Sequence, residues 1–498
     1  MLFNSASFVF VFLPLTLAAF AVAVWGRSPP MAVAVLVVAS YVFYGWWEPG
    51  LLVLLGASTA FNYAIGRMIG DAVSRQQTAL VKVLLSAGIG GDLGLLAYYK
   101  YADFLIANLN ALTGLTNAVP NIVLPIGISF YTFTQIAFLV DAAKGEITFS
   151  AARSRLQLFD YALFVSYFPH LVAGPIIHHR ATIRQFHRMA ANGWDTSAIA
   201  MGFSIFAIGL FKKTGLADNV APFADIAFAH LTSAPLPLLD SWIGAVAYAL
   251  QIYFDFSGYS DMAIGLSLLF GVRLPVNFAS PYKSTSIIEF WSRWHMSLSA
   301  FLRDYLYIPL GGNRKGAMRR YMNLMLTMLL GGLWHGAGWT FVVWGGLHGL
   351  YLIINHAWRF AFGPPSSDPT TGVLWFKRTA VFLAVTVAWV FFRSDSMGAA
   401  YNMLQGMSGA SGFAAGSDYT ASLGWIAAGL IIVWALPNTY QMFARFNPSL
   451  PLPPQLASAP VELLAWRMNA SYAIALGGLL ASCILGISRF SPFLYFRF

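Results

Sequence analysis

The chain has 498 residues, of which 58% are hydrophobic, 16% aromatic and only 10% charged, with a formal net charge of +10. A soluble domain carries about 25% charged residues, so the composition excludes a soluble protein and fits one polytopic membrane domain, residues 1–498, that grows by packing spans side by side. The basic excess falls in short loops between apolar runs, which points to loops held in the cytoplasm and to anionic lipid or a phosphate-bearing substrate, with no nucleic acid as partner; the single cysteine, Cys483, excludes a disulfide framework and a cysteine-based metal site.

Residues 1–26 lack a basic leader and run apolar from Ser7 to Trp25. This predicts a first span that is retained. Further runs long enough to cross a bilayer lie near 31–47, 51–70, 79–100, 121–143, 197–217 and 240–271, and then near 320–338, 340–360, 374–392, 421–440 and 470–488. The expectation is an all-α protein of about a dozen transmembrane helices. Arg27, then Arg67, Arg75 and Lys82, then Lys144, Arg153 and Arg155 follow the first, third and fifth runs, so those loops are expected in the cytoplasm and both termini outside it. Lys212 and Lys213 fall on the wrong side of this count. The stretch 156–177 is apolar but carries Pro169-His170 and Gly174-Pro175 and is followed by His178, His179, Arg180, Arg184 and Arg188. A re-entrant or broken element that returns to the cytoplasmic side fits it best. The segments 361–373 and 448–460, with Pro364, Pro365, Pro448, Pro451, Pro453, Pro454 and Pro460, are expected as loops. No internal repeat of the kind many transporters carry is visible.

Two Trp-His dipeptides stand out, Trp294-His295 and Trp334-His335. An imidazole below the bilayer surface is costly to keep ionised, and a neutral imidazole can accept a proton. Around the first, Ile287, Trp291, Trp294, Leu298, Phe301, Leu302 and Tyr305 recur at helical spacing while Glu289, Arg293 and Arg303 lie off that stripe. The pattern predicts one amphipathic interfacial helix over 287–308. The turn that follows, Pro309 to Lys315, sets Arg314 and Lys315 beside a Gly-Gly pair; it suits a phosphate-bearing ligand, or serves only as a basic stop that fixes topology. Around the second, GGLWHGAGW (331–339) places His335 among four glycines, either to let helix backbones approach or to admit a thin acyl chain.

Other polar residues read more quietly. Asp255 and Asp261 in YFDFSGYSD are expected as structural carboxylates, and Asp92, Asp141 and Asp304 as partners for arginines. His348 and His356 do not share a helix face with His335 and are expected as core or interface groups. His178-His179 lack a metal-ligand pattern and suit a loop.

Together these segments resemble a known family. YTFTQIAFLVD (131–141), YFPHLVAGPI (167–176), QIYFDFSGYSDMAIG (251–265), the run from Asn277 to Arg314, GGLWHGAGW (331–339), VFFRSDS (390–396) and the terminal SPFLYFRF (491–498) are similar to the membrane-bound O-acyltransferases. Within that family they resemble the branch of alginate O-acetylation and teichoic-acid D-alanyl transfer. The resemblance implies a funnel or tunnel in a multi-helix membrane fold, with a catalytic core over about 121–360. An acyl group, acetyl from acetyl-CoA in the alginate-type branch, would enter from the cytoplasm with no bound cofactor and no metal, and leave toward an extracytoplasmic polysaccharide. It also implies that His335 is the principal catalytic residue and His295 the second. Trp291, Trp294, Trp334 and Trp339 are then expected to line the tunnel and exclude water, and Arg293, Arg303, Asp304, Arg314 and Lys315 to bind the donor. The expected partners are a periplasmic acetyltransferase and the polysaccharide synthesis machinery, in a bacterial inner membrane. A transporter, or a non-catalytic scaffold of an export complex, is the alternative.

Overall fold

The computed structural model describes all residues except 148, 150–153, 190–192, 232–233, 364–368, 415–417, 457–463, 487–492 and 495–498. Arg153, Pro364, Pro365, Pro460 and most of 491–498 therefore lie outside the described residues, as do the side chains of Arg155 and Arg180.

The described secondary structure is helical throughout. A π turn (Phe8–Phe12) leads into α1 (Leu13–Trp25), followed by α2 (Pro29–Gly45), α3 (Leu51–Ser74) and α4 (Thr78–Leu96). A second π turn (Ala97–Tyr101) joins α4 to α5 (Ala102–Thr113). Then come α6 (Ile128–Ala143), α7 (Ser154–Ser166), α8 (Phe168–Leu171), α9 (His179–Met189), α10 (Thr196–Phe211), α11 (Asp218–His230) and α12 (Leu238–Leu269). The remaining elements are α13 (Ile287–Trp291), α14 (Met296–Leu302), α15 (Gly316–His335), α16 (Trp339–Phe362), α17 (Thr371–Arg393), α18 (Met397–Met407), α19 (Thr420–Ala435), α20 (Thr439–Met442) and α21 (Ala470–Leu485).

Among the described residues, five stretches are long and apolar enough to cross a bilayer: Phe8–Trp25, Leu51–Ser74, Thr78–Thr113, Thr196–His230 and Thr371–Arg393. The chain is a multi-pass, all-α membrane protein. Thr78–Thr113 is one helical stretch of 36 residues, longer than the apolar run near 79–100, because the π turn lets the helix continue past Lys100. The run near 121–143 is shorter than expected: its helix starts only at Ile128, after Pro125 and a left-handed Gly127. The stretch 156–177 is broken as expected. Its helix stops at Ser166, Phe168–Leu171 forms a single turn, and α7, α8 and α9 all pack on α2.

α12 is the central helix, and every residue from Ala247 to Leu269 is buried. Buried on all sides over that stretch, it packs against α10, α11, α17, α18 and α19. Its tightest contact is with α10, where glycines face each other in reciprocal pairs. A Cβ on Gly265 would sit 2.6 Å from the Gly202 carbonyl oxygen, and one on Gly258 would sit 2.7 Å from that of Gly209. Any side chain there forces the backbones apart.

The buried carboxylates of α12 explain the two misplaced lysines. Lys213 Nζ lies 2.7 Å from Asp255, and Lys212 Nζ lies 2.6 Å from Asp261. Asp255 also accepts from the backbone amide of Leu494, and Asp261 from the hydroxyls of Thr439 and Tyr440. Lys212 and Lys213 are thus internal ion-pair partners, and a count of loop charges cannot use them. Of Asp92, Asp141 and Asp304, the acids expected to pair with arginines, Asp304 meets its neighbour Arg303. Asp92 instead accepts from Asn62 and Asp141 from Tyr305.

Candidate active site

His335 is the last residue of α15, and its position follows from a glycine-mediated hairpin. Gly332 of α15 lies against the Phe341 carbonyl and Gly345 of α16, while Gly345 meets the Met328 carbonyl. Gly336 ends the helix in an extended conformation and lies under the Phe341 ring. Of the glycines of GGLWHGAGW, Gly332 thus seats backbone against backbone with α16, whereas Gly338 also lies against the Phe341 ring and Gly331 against the Leu302 side chain of α14. The hairpin turns His335 inward, where its ring is buried edge-on against Trp344 (centroids 5.1 Å), Phe392 (5.2 Å) and Trp334 (4.9 Å).

His295 is held in a different way. The expected continuous helix over 287–308 is broken: α13 ends at Trp291, and α14 starts only after His295, whose backbone is left-handed at φ 42°, ψ 54°. That conformation costs a non-glycine residue roughly 1–2 kcal/mol, and surrounding contacts hold it. The Ala279 amide donates to the Arg293 carbonyl at 2.9 Å, and the Met296 amide to the Asn277 carbonyl at 2.9 Å. Asn277 Oδ1 also accepts from the amide and hydroxyl of Ser297. The break ends the helical stripe and drives the His295 ring, 1% exposed, between Phe130, Phe256 and Phe278.

The two histidines share one aromatic cluster. Phe130 of α6 lies 6.4 Å from the His295 ring and 5.4 Å from that of Trp334, and Phe133 stacks on Trp334 at 5.0 Å. Trp389 of α17 joins the other side, 5.0 Å from Trp294 and 5.7 Å from Trp344. Trp291 belongs to the same cluster and donates to His348 Nδ1 at 3.3 Å. His348, expected as a core group, is fully buried 4.9 Å from Trp344 and stacks on Phe290. The hairpin brings it beside the site although it shares no helix with His335.

The remaining candidates have other surroundings. Trp339 is exposed at the start of α16, where its indole donates to Asn108 and packs on Phe104. It lies outside the cluster because Gly336–Gly338 turn the chain away before it. Arg303 and Asp304 pair with each other at 2.7 and 3.0 Å on an exposed turn. Arg314 and Lys315 are exposed in the loop before α15. Arg293 is committed to Glu289 at 2.7 Å and to the Ala279 carbonyl at 3.1 Å. Arg293, Arg303 and Asp304 are thus bonded to Glu289, to a backbone carbonyl and to one another. Sequence reasoning missed Phe130, Trp344, Trp389 and Phe392 as site residues. The last two stand in or beside the VFFRSDS segment, and aromatics one helical turn apart were the available signal.

The arrangement offers two buried imidazoles on separate supports inside an aromatic shell that excludes water, as a group-transfer site requires. Comparison with known proteins places it. The probable alginate O-acetylase AlgI of Azotobacter vinelandii is 41% identical over 100% of both chains. The peptidoglycan O-acetyltransferase of Helicobacter pylori is 40% identical over 83% of this chain and 80% of its own. The teichoic acid D-alanyltransferase of Streptococcus thermophilus is 27% identical over 47% of this chain and 57% of its own. Residues 113–392, which hold both histidines and their aromatic shell, match the model of the membrane-bound O-acyltransferase family. The chain belongs to that family and is an acyltransferase.

Proposed function

We propose that this enzyme takes an acetyl group from a cytoplasmic thioester, acetyl-CoA, and transfers it across the bacterial inner membrane for O-acetylation of an extracytoplasmic polysaccharide such as alginate or another exopolysaccharide. The observation that carries the reading is the burial of His295 and His335 in one aromatic cluster. Relatives named for O-acetylation of alginate and of peptidoglycan support acetyl as the group and a cell-envelope polymer as the acceptor.

In this reading His335 is the general base. Its imidazole takes the proton of an acceptor hydroxyl as that oxygen attacks the thioester carbonyl, and the proton passes to the sulfur as the C–S bond breaks. An ester and a free thiol result, with no net proton change. His295, on its rigid turn, orients the donor or polarises its carbonyl. Trp291, Trp294 and Trp334 keep water from the thioester. The acceptor hydroxyl belongs either to the polymer or to a periplasmic acetyltransferase that completes the transfer within the synthesis machinery. Both termini face away from the cytoplasm, and residues 1–498 act as one domain around a core near 121–360.

The test uses membrane vesicles from cells that carry the complete polysaccharide machinery, fed radiolabelled acetyl-CoA. Label is expected in alkali-labile ester, dependent on His335. Polymer acetylated at the normal level by a well-expressed His335→Ala protein overturns the assignment of the base.

A further inference from the structure

At the end of the helix that carries His335 the Gly336 amide serves the Gly332 carbonyl, and the three carbonyls that follow need partners from elsewhere. They find them on the π turn between α4 and α5. Tyr101 donates its hydroxyl to the Leu333 carbonyl at 3.0 Å, and Lys100 Nζ donates to the carbonyls of Trp334 at 2.5 Å and His335 at 3.1 Å. Three consecutive carbonyls, the last of them His335's own, are thus held by two adjacent residues about 230 positions earlier in the chain. Lys100 also donates to Ser129 at 3.3 Å and lies 5.8 Å from the centre of the Trp334 ring.

An ammonium in this setting is unusual. Lys100 is 9% exposed, and among the described residues no carboxylate lies within ion-pair distance of it. Removing an ammonium from water is costly unless its donors are satisfied. Here three acceptors take them, and the negative end of the α15 dipole supplies the opposing charge. Lys100 and Tyr101 are the last two residues of the π turn, and both serve the same helix end.

We propose that Lys100, assisted by Tyr101, is a positioning residue for the transfer reaction: it clamps the carbonyl end of α15 and holds the His335 imidazole at the reacting atoms. The inference rests on the reading of His335 as the base. Lys100 has its donors committed to protein acceptors and acts through His335, so its loss affects the chemical step and leaves donor binding intact.

The experiment measures CoA release from acetyl-CoA by the full-length enzyme in vesicles with the complete machinery, normalised to folded protein. A base displaced by about 1 Å loses up to roughly a hundredfold in rate, so Lys100→Met is expected to lower kcat by about tenfold or more while KM for acetyl-CoA stays within about twofold. Tyr101→Phe, which removes one hydroxyl and keeps the packing, is expected to lower kcat by about threefold, again at unchanged KM, in line with one lost neutral hydrogen bond. Lys100→Met at wild-type kcat per folded molecule overturns the proposal, as does a rise in KM that matches the fall in kcat. If Lys100→Met does not fold, Tyr101→Phe decides, and wild-type kcat there overturns it. His335→Ala separates the two levels. Wild-type turnover in His335→Ala overturns the base assignment, whereas an inactive His335→Ala beside fully active Lys100→Met and Tyr101→Phe overturns the positioning role alone.

Discussion

The same dipeptide, Trp-His, is supported in two unlike ways. His335 sits at the end of a 20-residue helix with ordinary helical geometry, set by glycine contacts with α16 and by capping from Lys100 and Tyr101. His295 sits at a break between two short helices, in a left-handed conformation that costs energy and is held by Asn277 and Ala279. Strain held by surrounding bonds is a mark of functional sites. The contrast teaches that one imidazole is placed by regular packing and the other by an enforced irregularity, so the two respond differently to substitution.

The sharpest way to break the comparison is to remove each imidazole. His335→Ala is expected to lower polymer acetylation per folded molecule by about 10²- to 10⁴-fold, the usual span for loss of a general base. Quantifying alkali-released acetate in cells with matched expression checks it. At position 295 the choice of replacement matters. Asparagine tolerates the left-handed region and alanine does not. His295→Asn is therefore expected to keep wild-type thermal stability in detergent and still lose about 10² in transfer, while His295→Ala is less stable by about 1 kcal/mol as well. Full activity in His295→Asn reduces this histidine to a packing residue.

The hairpin gives a smaller, one-sided effect. Gly345→Val places methyl groups against the Met328 carbonyl and pushes α16 off α15, with an expected destabilisation of about 1–3 kcal/mol. It displaces His335 and leaves the His295 turn in place, which cross-linking between cysteines introduced on each side reports. The smallest effect belongs to the support of His295. Burial raises the Glu289 carboxyl, but hydrogen bonds from Thr285 and the Arg293 guanidinium outweigh it and hold the group below its ordinary value of 4.5. A depressed carboxyl contributes stability above the unfolded value, and that contribution is lost as pH falls through the folded one. Glu289→Gln is thus expected to cost up to about 1 kcal/mol near neutrality, with the melting curves of mutant and wild type converging below pH 4.5. A constant difference down to low pH contradicts this.

Much of this was legible in the sequence because lipid imposes simple rules. A chain with 58% hydrophobic and 10% charged residues has to satisfy its backbone within helices. Prolines marked the broken stretch around α8, and two histidines in aromatic and glycine-rich runs marked the site. The misses share a cause. The break at His295 carries no glycine or proline, so helical periodicity ran straight through it; the turn exists because residues 277–279, ten or more positions away, bond to it. Lys212 and Lys213 looked like loop charges because their partners, Asp261 and Asp255, stand about 45 residues further on. Composition likewise gave no sign that Arg303 and Asp304 pair with each other or that Trp339 is exposed against Phe104 and Asn108.

The sequence by itself determined the solvent, the helical class, the family motifs and the pair of imidazoles, because those follow from local composition and spacing. Only the tertiary structure decided how each imidazole is held, that His348 and Trp344 join them, and that Lys100 reaches across more than 230 residues to cap the helix of His335. Helix-to-helix contacts over such separations depend on which faces meet, and one-dimensional periodicity carries no record of that choice.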